Sequence, residues 1–167
     1  MIVLPNNSNI FMAADEAAKE AGVNVAIVKS RTINQGMTSL LSYNPDRSLA
    51  DNAADMTAAL ANVVSGQVTQ SIRNSTIGGL EIHDGDWIGI IDGDIKVATG
   101  DRFSATTDMI DAMIDEDSEI VTLMIGVDGS ADEADKLSEH IEAKYPDVEV
   151  EIHDGGQPLY PYLVSVE

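Results

Sequence analysis

The first 28 residues constrain the fold most. Ile2-Val3-Leu4 is a short apolar run ended by the polar break Pro5-Asn6-Asn7-Ser8-Asn9. An apolar run bounded by turn residues predicts a buried strand. Ile10, Ala13, Ala14, Ala17, Ala18 and Ala21 then recur at helical spacing. Asp15, Glu16, Lys19 and Glu20 lie outward, and Gly22 stops the helix. Asn7, Ser8 or Asn9 supplies its cap. Val23–Val28 predicts a second strand. Strand, helix and strand in so short a span form a βαβ crossover, which makes the two strands parallel neighbours.

The rest of the chain alternates between the same two periods. Lys29–Gly36 leaves the carboxyl end of the second strand as a polar loop, a short helix spans Met37–Leu41, and Pro45 breaks it. Ser48-Leu49-Ala50-Asp51 reads as a capping box, with Asp51 where Glu or Gln is more usual. Leu49, Ala53, Met56, Leu60 and Val63 form the inward face of the helix it opens, and Gly66 ends that helix. Residues 67–99 change texture, with short alternating runs, a Gly78-Gly79 turn and an Asp92-Gly93 hairpin after Trp87–Ile91, which predicts antiparallel β. Helical spacing returns after Ser104. Glu119–Ile125 predicts a buried strand, and Ser130–Glu133 a second capping box before Ala134, Leu137 and Ile141. Val148–Ile152 alternates. Leu159–Val166 is a last strand whose Pro161 places it at an edge or a bend. The expected class is α/β: a mixed sheet with helices packed on it and an antiparallel β-rich insert. A boundary near Ser65-Gly66 divides it into a partial α/β lobe, 1–65, and a second α/β lobe with the insert, 66–167. One compact domain is the alternative.

Composition narrows the function. Nine Lys+Arg stand against 29 Asp+Glu, a formal charge of −20. That charge repels polyphosphates and argues against nucleic acid and anionic membrane surfaces. At 44% hydrophobic residues the chain has a core to bury and is no disordered acidic tail. The absence of Cys excludes disulfides and thiolate chemistry and fits a cytoplasmic location. No apolar run approaches the ~20 residues of a spanning helix, so no membrane insertion is expected.

No catalytic constellation is legible. Gly-x-Ser-x-Gly and both glycine-rich phosphate-loop patterns are missing. Glu81–Gly85 and Glu151–Gly155 both read Glu-Ile-His-Asp-Gly. His83/Asp84 and His153/Asp154 are metal candidates, but adjacent strand residues face opposite ways, and two Asp-Gly turns account for the echo. The expectation is no metal site. His140 lies on the polar face of a helix, where it is solvated. Two polar loops stand out at strand carboxyl ends, where α/β sheets bind ligands and partners: Asn6 and Asn7 on the first, Arg31, Thr32, Gln35 and Gly36 on the second. A third candidate is Gly155–Tyr162, with Gly156, Gln157 and Tyr160. Its paired Gly and its Tyr and Pro fit either a contact surface or a plain turn and sheet edge.

These motifs carry a resemblance. Leu4-Pro5-Asn6-Asn7-Ser8-Asn9-Ile10, Arg31-Thr32-Ile33-Asn34-Gln35-Gly36, and Gly155–Tyr162 with Ser165-Val166-Glu167 occur in this order. Over nearly the whole chain, the sequence resembles the C-terminal region of the dihydroxyacetone-kinase-like (DAK2-domain, YloV-type) ATP-binding subunits of bacterial fatty acid kinase in Gram-positive bacteria. Asn34 stands where the family's Thr-Ile-Pro-Gln-Gly run has Pro. The resemblance implies a DegV-like fold. It implies a modular enzyme in which an N-terminal domain holds ATP and Mg²⁺, and a partner carries the fatty acid whose carboxylate is phosphorylated for phospholipid synthesis. This chain corresponds to a fragment without that ATP domain, so it carries no cofactor of its own.

The expected function is therefore a non-catalytic module that engages the fatty-acid-binding, DegV-like partner and the remainder of its own kinase chain. Its contact residues are Asn6, Asn7, Arg31, Thr32, Gln35, Gly36, Gly156, Gln157 and Tyr160. The alternative is a domain that binds a fatty acid or phosphorylated compound directly. A second copy of the chain is a further candidate partner.

Overall fold

Four of the five α-helices begin at a side chain that accepts a hydrogen bond from the backbone N–H three residues on: Thr32, Ser48, Asp101 and Ser130. Each cap satisfies a donor that the first turn leaves free and contributes about 1 kcal/mol. The computed structural model describes residues 1–167, which form two compact units, Met1–Val63 and Val64–Glu167.

In the first unit, β1 (Ile2–Val3) pairs in parallel with β2 (Ala26–Ile27), with Ile2 opposite Ala26 and Val3 opposite Ile27. The crossover is a 3₁₀ turn, Ser8–Ile10, capped by Asn7, and α1 (Phe11–Glu20). The alanine face expected to be buried is not: no residue of α1 is buried, and Phe11, Ala14 and Ala18 are only half covered. Helix α2 (Ile33–Leu41) starts four residues before the expected Met37, because Thr32 caps it and Gly36 is taken into the helix. Helix α3 (Leu49–Ala59) opens at the Ser48 box as expected and ends in the 3₁₀ turn Leu60–Asn62. Asn52, not anticipated, is buried in α3 and stitches the preceding loop. Its Nδ2 donates to the carbonyls of Asn44, Arg47 and Ser48, and its Oδ1 accepts from Asn44 N–H at 2.7 Å.

The second unit is built on a six-stranded sheet. Its strands are β3 (Val64–Gln70), β6 (Trp87–Ile91), β7 (Asp94–Thr99), β8 (Ile120–Ile125), β9 (Glu149–Asp154) and β10 (Tyr162–Val166), in the order β7-β6-β3-β10-β8-β9. The short strands β4 (Ser75–Ile77) and β5 (Leu80–Ile82) form a separate hairpin. All sheet neighbours are antiparallel except β8 and β9, joined by α5 (Ala131–Lys144). The mixed sheet and antiparallel insert match the sequence reading. Asp92 and Gly93 both take positive φ, 50° and 95°, the type I′ turn expected between β6 and β7.

Helix α4 (Arg102–Met113) packs on β3, β6 and β7, and α5 packs on β8 and β9. The core joins Val68, Val121, Leu123 and Val164 to Met109, Leu137 and Ile141. Full burial of a side chain the size of Leu137 or Ile141 contributes about 1.5–3 kcal/mol.

Three expectations are corrected here. Gly66 lies inside β3 and ends no helix: a Cβ there would come within 2.6 Å of Met113 Sδ, so the glycine makes room for α4. The last strand is central, between β3 and β8, because Pro161 precedes its first ladder residue and removes no ladder donor. His140 is not free in solvent. It lies 3.2 Å from Asp111, which also accepts from Lys144 at 2.8 Å, and so ties α5 to α4. Burial pushes the Asp111 carboxyl up, but the hydrogen bonds from Lys144 and His140 outweigh it and hold the group below its ordinary value.

Candidate functional site: two loop clusters at strand carboxyl ends

In the first unit, the parallel pairing of β1 and β2 puts the loops that follow them at the same end. The two loops lock together through Asn6 and Ser30. Asn6 N–H donates to Ser30 Oγ at 3.1 Å, and Ser30 Oγ donates to Asn6 Oδ1 at 2.7 Å. Ser30 is fully buried, and Asn6 takes φ 56°, a left-handed conformation that Asn tolerates better than most residues. Gly36 is the third piece: a Cβ on it would fall on Asn6 Oδ1, so the first turn of α2 approaches the loop only because residue 36 has none.

The second loop is braced by its own residues. Thr32 Oγ1 accepts from Gln35 N–H at 3.2 Å, and Gln35 Oε1 accepts from Arg31 N–H at 2.9 Å. Thr32, Gln35 and Gly36 therefore shape the loop, and Arg31 is left exposed beside the N-terminus of α2 with no ion pair. Asn7 caps the 3₁₀ turn and lies on the surface. The sequence reading missed Ser30 and Asn34. Asn34 is 3% exposed, and its Oδ1 is the one buried side-chain polar atom without a partner.

The first unit also holds a cavity of about 410 Å³, walled by Ile2, Leu4, Leu40, Leu49 and Met56, with Arg47 and Asn52 as polar members. Arg47 pairs with Asp55. Asn6 and Thr32 are not among its lining residues.

In the second unit, the loops after the parallel strands β8 and β9 lie backbone to backbone. Val127 N–H donates to Gln157 O at 3.0 Å, and Gly126 N–H to Pro161 O at 2.8 Å. A Cβ on Gly126 would overlap Tyr160 O and come within 2.7 Å of Gln157 O. Gln157 turns inward, its Nε2 donating to the carbonyls of Met124 and Tyr160, both at 3.1 Å. It holds the loop instead of facing outward. Gly156 is exposed at φ 62°, and Tyr160 is half-buried.

Beneath these loops lies a polar anchor. Arg102 pairs with Glu133, donates to Asp128 O at 2.8 Å, and stacks over Trp87 and Tyr162 at 5.4 and 5.6 Å. Tyr162 is fully buried, accepts from Ser130 N–H at 3.1 Å, and lies 2.9 Å from Glu133 Oε2. Burial, with Glu133 beside it, pushes the phenol up to about 12, so it stays protonated and serves as a strut. The two echoing histidines stay apart: His83 faces Asp86 at 3.2 Å, and His153 faces Glu151 at 3.3 Å.

The comparison with known proteins decides the family. The family model for the FakA-like C-terminal domain of fatty acid kinase matches residues 1–167. The chain belongs to this family. Protein YloV of Bacillus subtilis is 45% identical over 167 residues, and a Staphylococcus haemolyticus protein, SH1689, is 44% identical over 166. The matches cover 100% and 99% of this chain but only 30% of each relative, so the chain spans about a third of their length.

Solved structures place this FakA-like C-terminal chain in the DegV fold. The DegV family protein Cg2579 from Corynebacterium glutamicum matches 99% of this chain and 74% of its own, with TM-score 0.63 and 16% identity. The Streptococcus pneumoniae fatty acid kinase B3 protein, loaded with linoleic acid, matches 99% and 70%, with TM-score 0.64 and 10% identity. The dihydroxyacetone kinase of C. freundii matches 99% and 38%, with TM-score 0.55 and 13% identity. No helix is long and apolar enough to cross a membrane.

Proposed function

We propose that this chain is a non-catalytic docking module of a fatty acid kinase. It engages the acyl-carrying partner so that the acyl carboxylate meets ATP and Mg²⁺ held on other domains of the longer kinase. Its contribution is proximity: it turns an encounter between two proteins into a positioned reaction. Family membership supports the kinase setting. The observation that carries the docking role is the brace around Arg31. Gln35 and Thr32 fix the backbone on either side, and the guanidinium stands exposed and unpaired at a helix N-terminus. A planar cation there suits a partner carboxylate, and the free N–H groups of α2 add to the same field.

The test is calorimetry with a fatty-acid-loaded DegV-family protein from the same cell. The chain should bind it, and Arg31→Glu should weaken binding by about tenfold or more with an unchanged circular dichroism spectrum. Equal affinity for the two chains would remove Arg31 from the interface.

A second reading rests on the cavity in the first unit. Its size and apolar wall fit a small amphiphile, with Arg47 as the cation at its rim. Native mass spectrometry after mild purification separates the readings: a co-purifying lipid supports direct ligand binding by this chain.

A further inference from the structure

The acidic side chains are unevenly shared. Residues 64–167 carry 23 of the 29 Asp+Glu and five of the nine Lys+Arg, whereas residues 1–63 are close to balanced. In this strongly anionic unit, one bulky apolar side chain is held outward under strain. Leu159 has φ 71° and is 73% exposed. A Leu in the left-handed region is a true outlier, and holding it there costs free energy. An exposed side chain recovers little of that cost by packing, and glycine would relieve it.

The surrounding loops are built to keep it there. Thr69 Oγ1 donates to Leu159 O at 3.0 Å. Gln157 pins the same loop from within, through the carbonyls of Met124 and Tyr160. Val127, 70% exposed, lies on the adjoining loop, whose N–H bonds Gln157 O. Ile72, 88% exposed, follows Thr69 by three residues, just past the carboxyl end of β3. Asp128 and Asp154 flank the two loops in sequence. The result is an apolar prominence at the carboxyl ends of the parallel strands β8 and β9, in a unit that is strongly acidic overall.

We infer that Leu159, with Val127 on the adjoining loop, is the anchor of a protein–protein contact whose partner presents an apolar socket rimmed by Lys or Arg. The charge of this unit selects against anionic lipid and against a second copy of the same face, since both would meet it with like charge. The inference rests on the docking reading above and adds to it a residue and a partner chemistry. Leu159 belongs to the second unit and Arg31 to the first.

The test compares Leu159→Gly and Val127→Ser with the unsubstituted chain, using the fatty-acid-loaded DegV-family protein as probe. Leu159→Gly should leave Tm unchanged or raised, because the left-handed residue loses its side-chain clash, and should weaken binding by about tenfold or more. Val127→Ser should weaken it in the same direction, and added NaCl should weaken binding of the unsubstituted chain. Leu159→Gly binding as well as the unsubstituted chain, or melting well below it, overturns the anchor role. Leu159-dependent binding to phosphatidylcholine vesicles, or Leu159-dependent self-association without binding of the probe, overturns the assigned partner. No binding by the unsubstituted chain removes the docking reading as well, whereas retained binding with a silent Leu159 removes only the anchor.

Discussion

Gly126→Ala should unfold the second unit's loop cluster and lower its stability by about 3 kcal/mol or more. The added methyl lands on Tyr160 O and close to Gln157 O, and both neighbours are backbone. Neither can turn aside as a side-chain tip would. To make room, the β9–β10 loop must lift from the β8–α5 loop. That breaks the bonds from Gly126 N–H to Pro161 O and from Val127 N–H to Gln157 O. The damage reaches the core, because Pro161 leads directly into Tyr162, a fully buried residue of the central strand β10. Urea unfolding measures the loss, and a Tm drop of about 10 °C or more is expected for a unit of this size. A drop within a degree or two would mean that the two loops are not packed as described.

Gly36→Ala should carry the second large effect, about 2–3 kcal/mol, and it should be reversible by a second substitution. Here the obstacle is the Asn6 side chain, held by Ser30 in a left-handed backbone. Asn6→Gly removes the colliding oxygen and accepts the positive φ without strain. The pair Asn6→Gly with Gly36→Ala should therefore recover about half or more of what Gly36→Ala loses. Hydrogen exchange of the α2 amides gives the readout. Losses that simply add would show that residues 6 and 36 do not meet.

Asn6 and Gly36 also illustrate what the sequence could and could not reveal. The βαβ opening, the Ser48 and Ser130 caps and the Asp92-Gly93 hairpin were legible because each depends on residues within a few positions of one another. Thr32 as a cap was hidden by Gly36, which reads locally as the end of a polar loop although it sits in the helix to admit Asn6. Gly66 misled in the same way, since the reason for a glycine there is the pair of methionines on α4. The central place of β10 depends on long-range pairing with β3 and β8, which the Pro161 signal does not encode. Within the candidate sites, the polar loops were visible as composition. The division of labour inside them was not: Thr32, Gln35 and Gln157 turn inward as braces, while Arg31 and Leu159 are what the loops hold out. The strain at Leu159 is a backbone property with no local sequence mark.

The central claim is that this chain docks a partner for chemistry done elsewhere in the longer kinase. Competition tests it most directly. A full-length fatty acid kinase of this family, ATP, Mg²⁺ and a fatty-acid-loaded DegV-family protein are mixed, and acyl phosphate formation is followed as the isolated chain is added. The expected result is a saturable fall in rate, relieved by more of the DegV-family protein, with no phosphate transfer when the isolated chain replaces the kinase. An unchanged rate at large molar excess of the folded chain, or phosphate transfer by the chain alone, would contradict it.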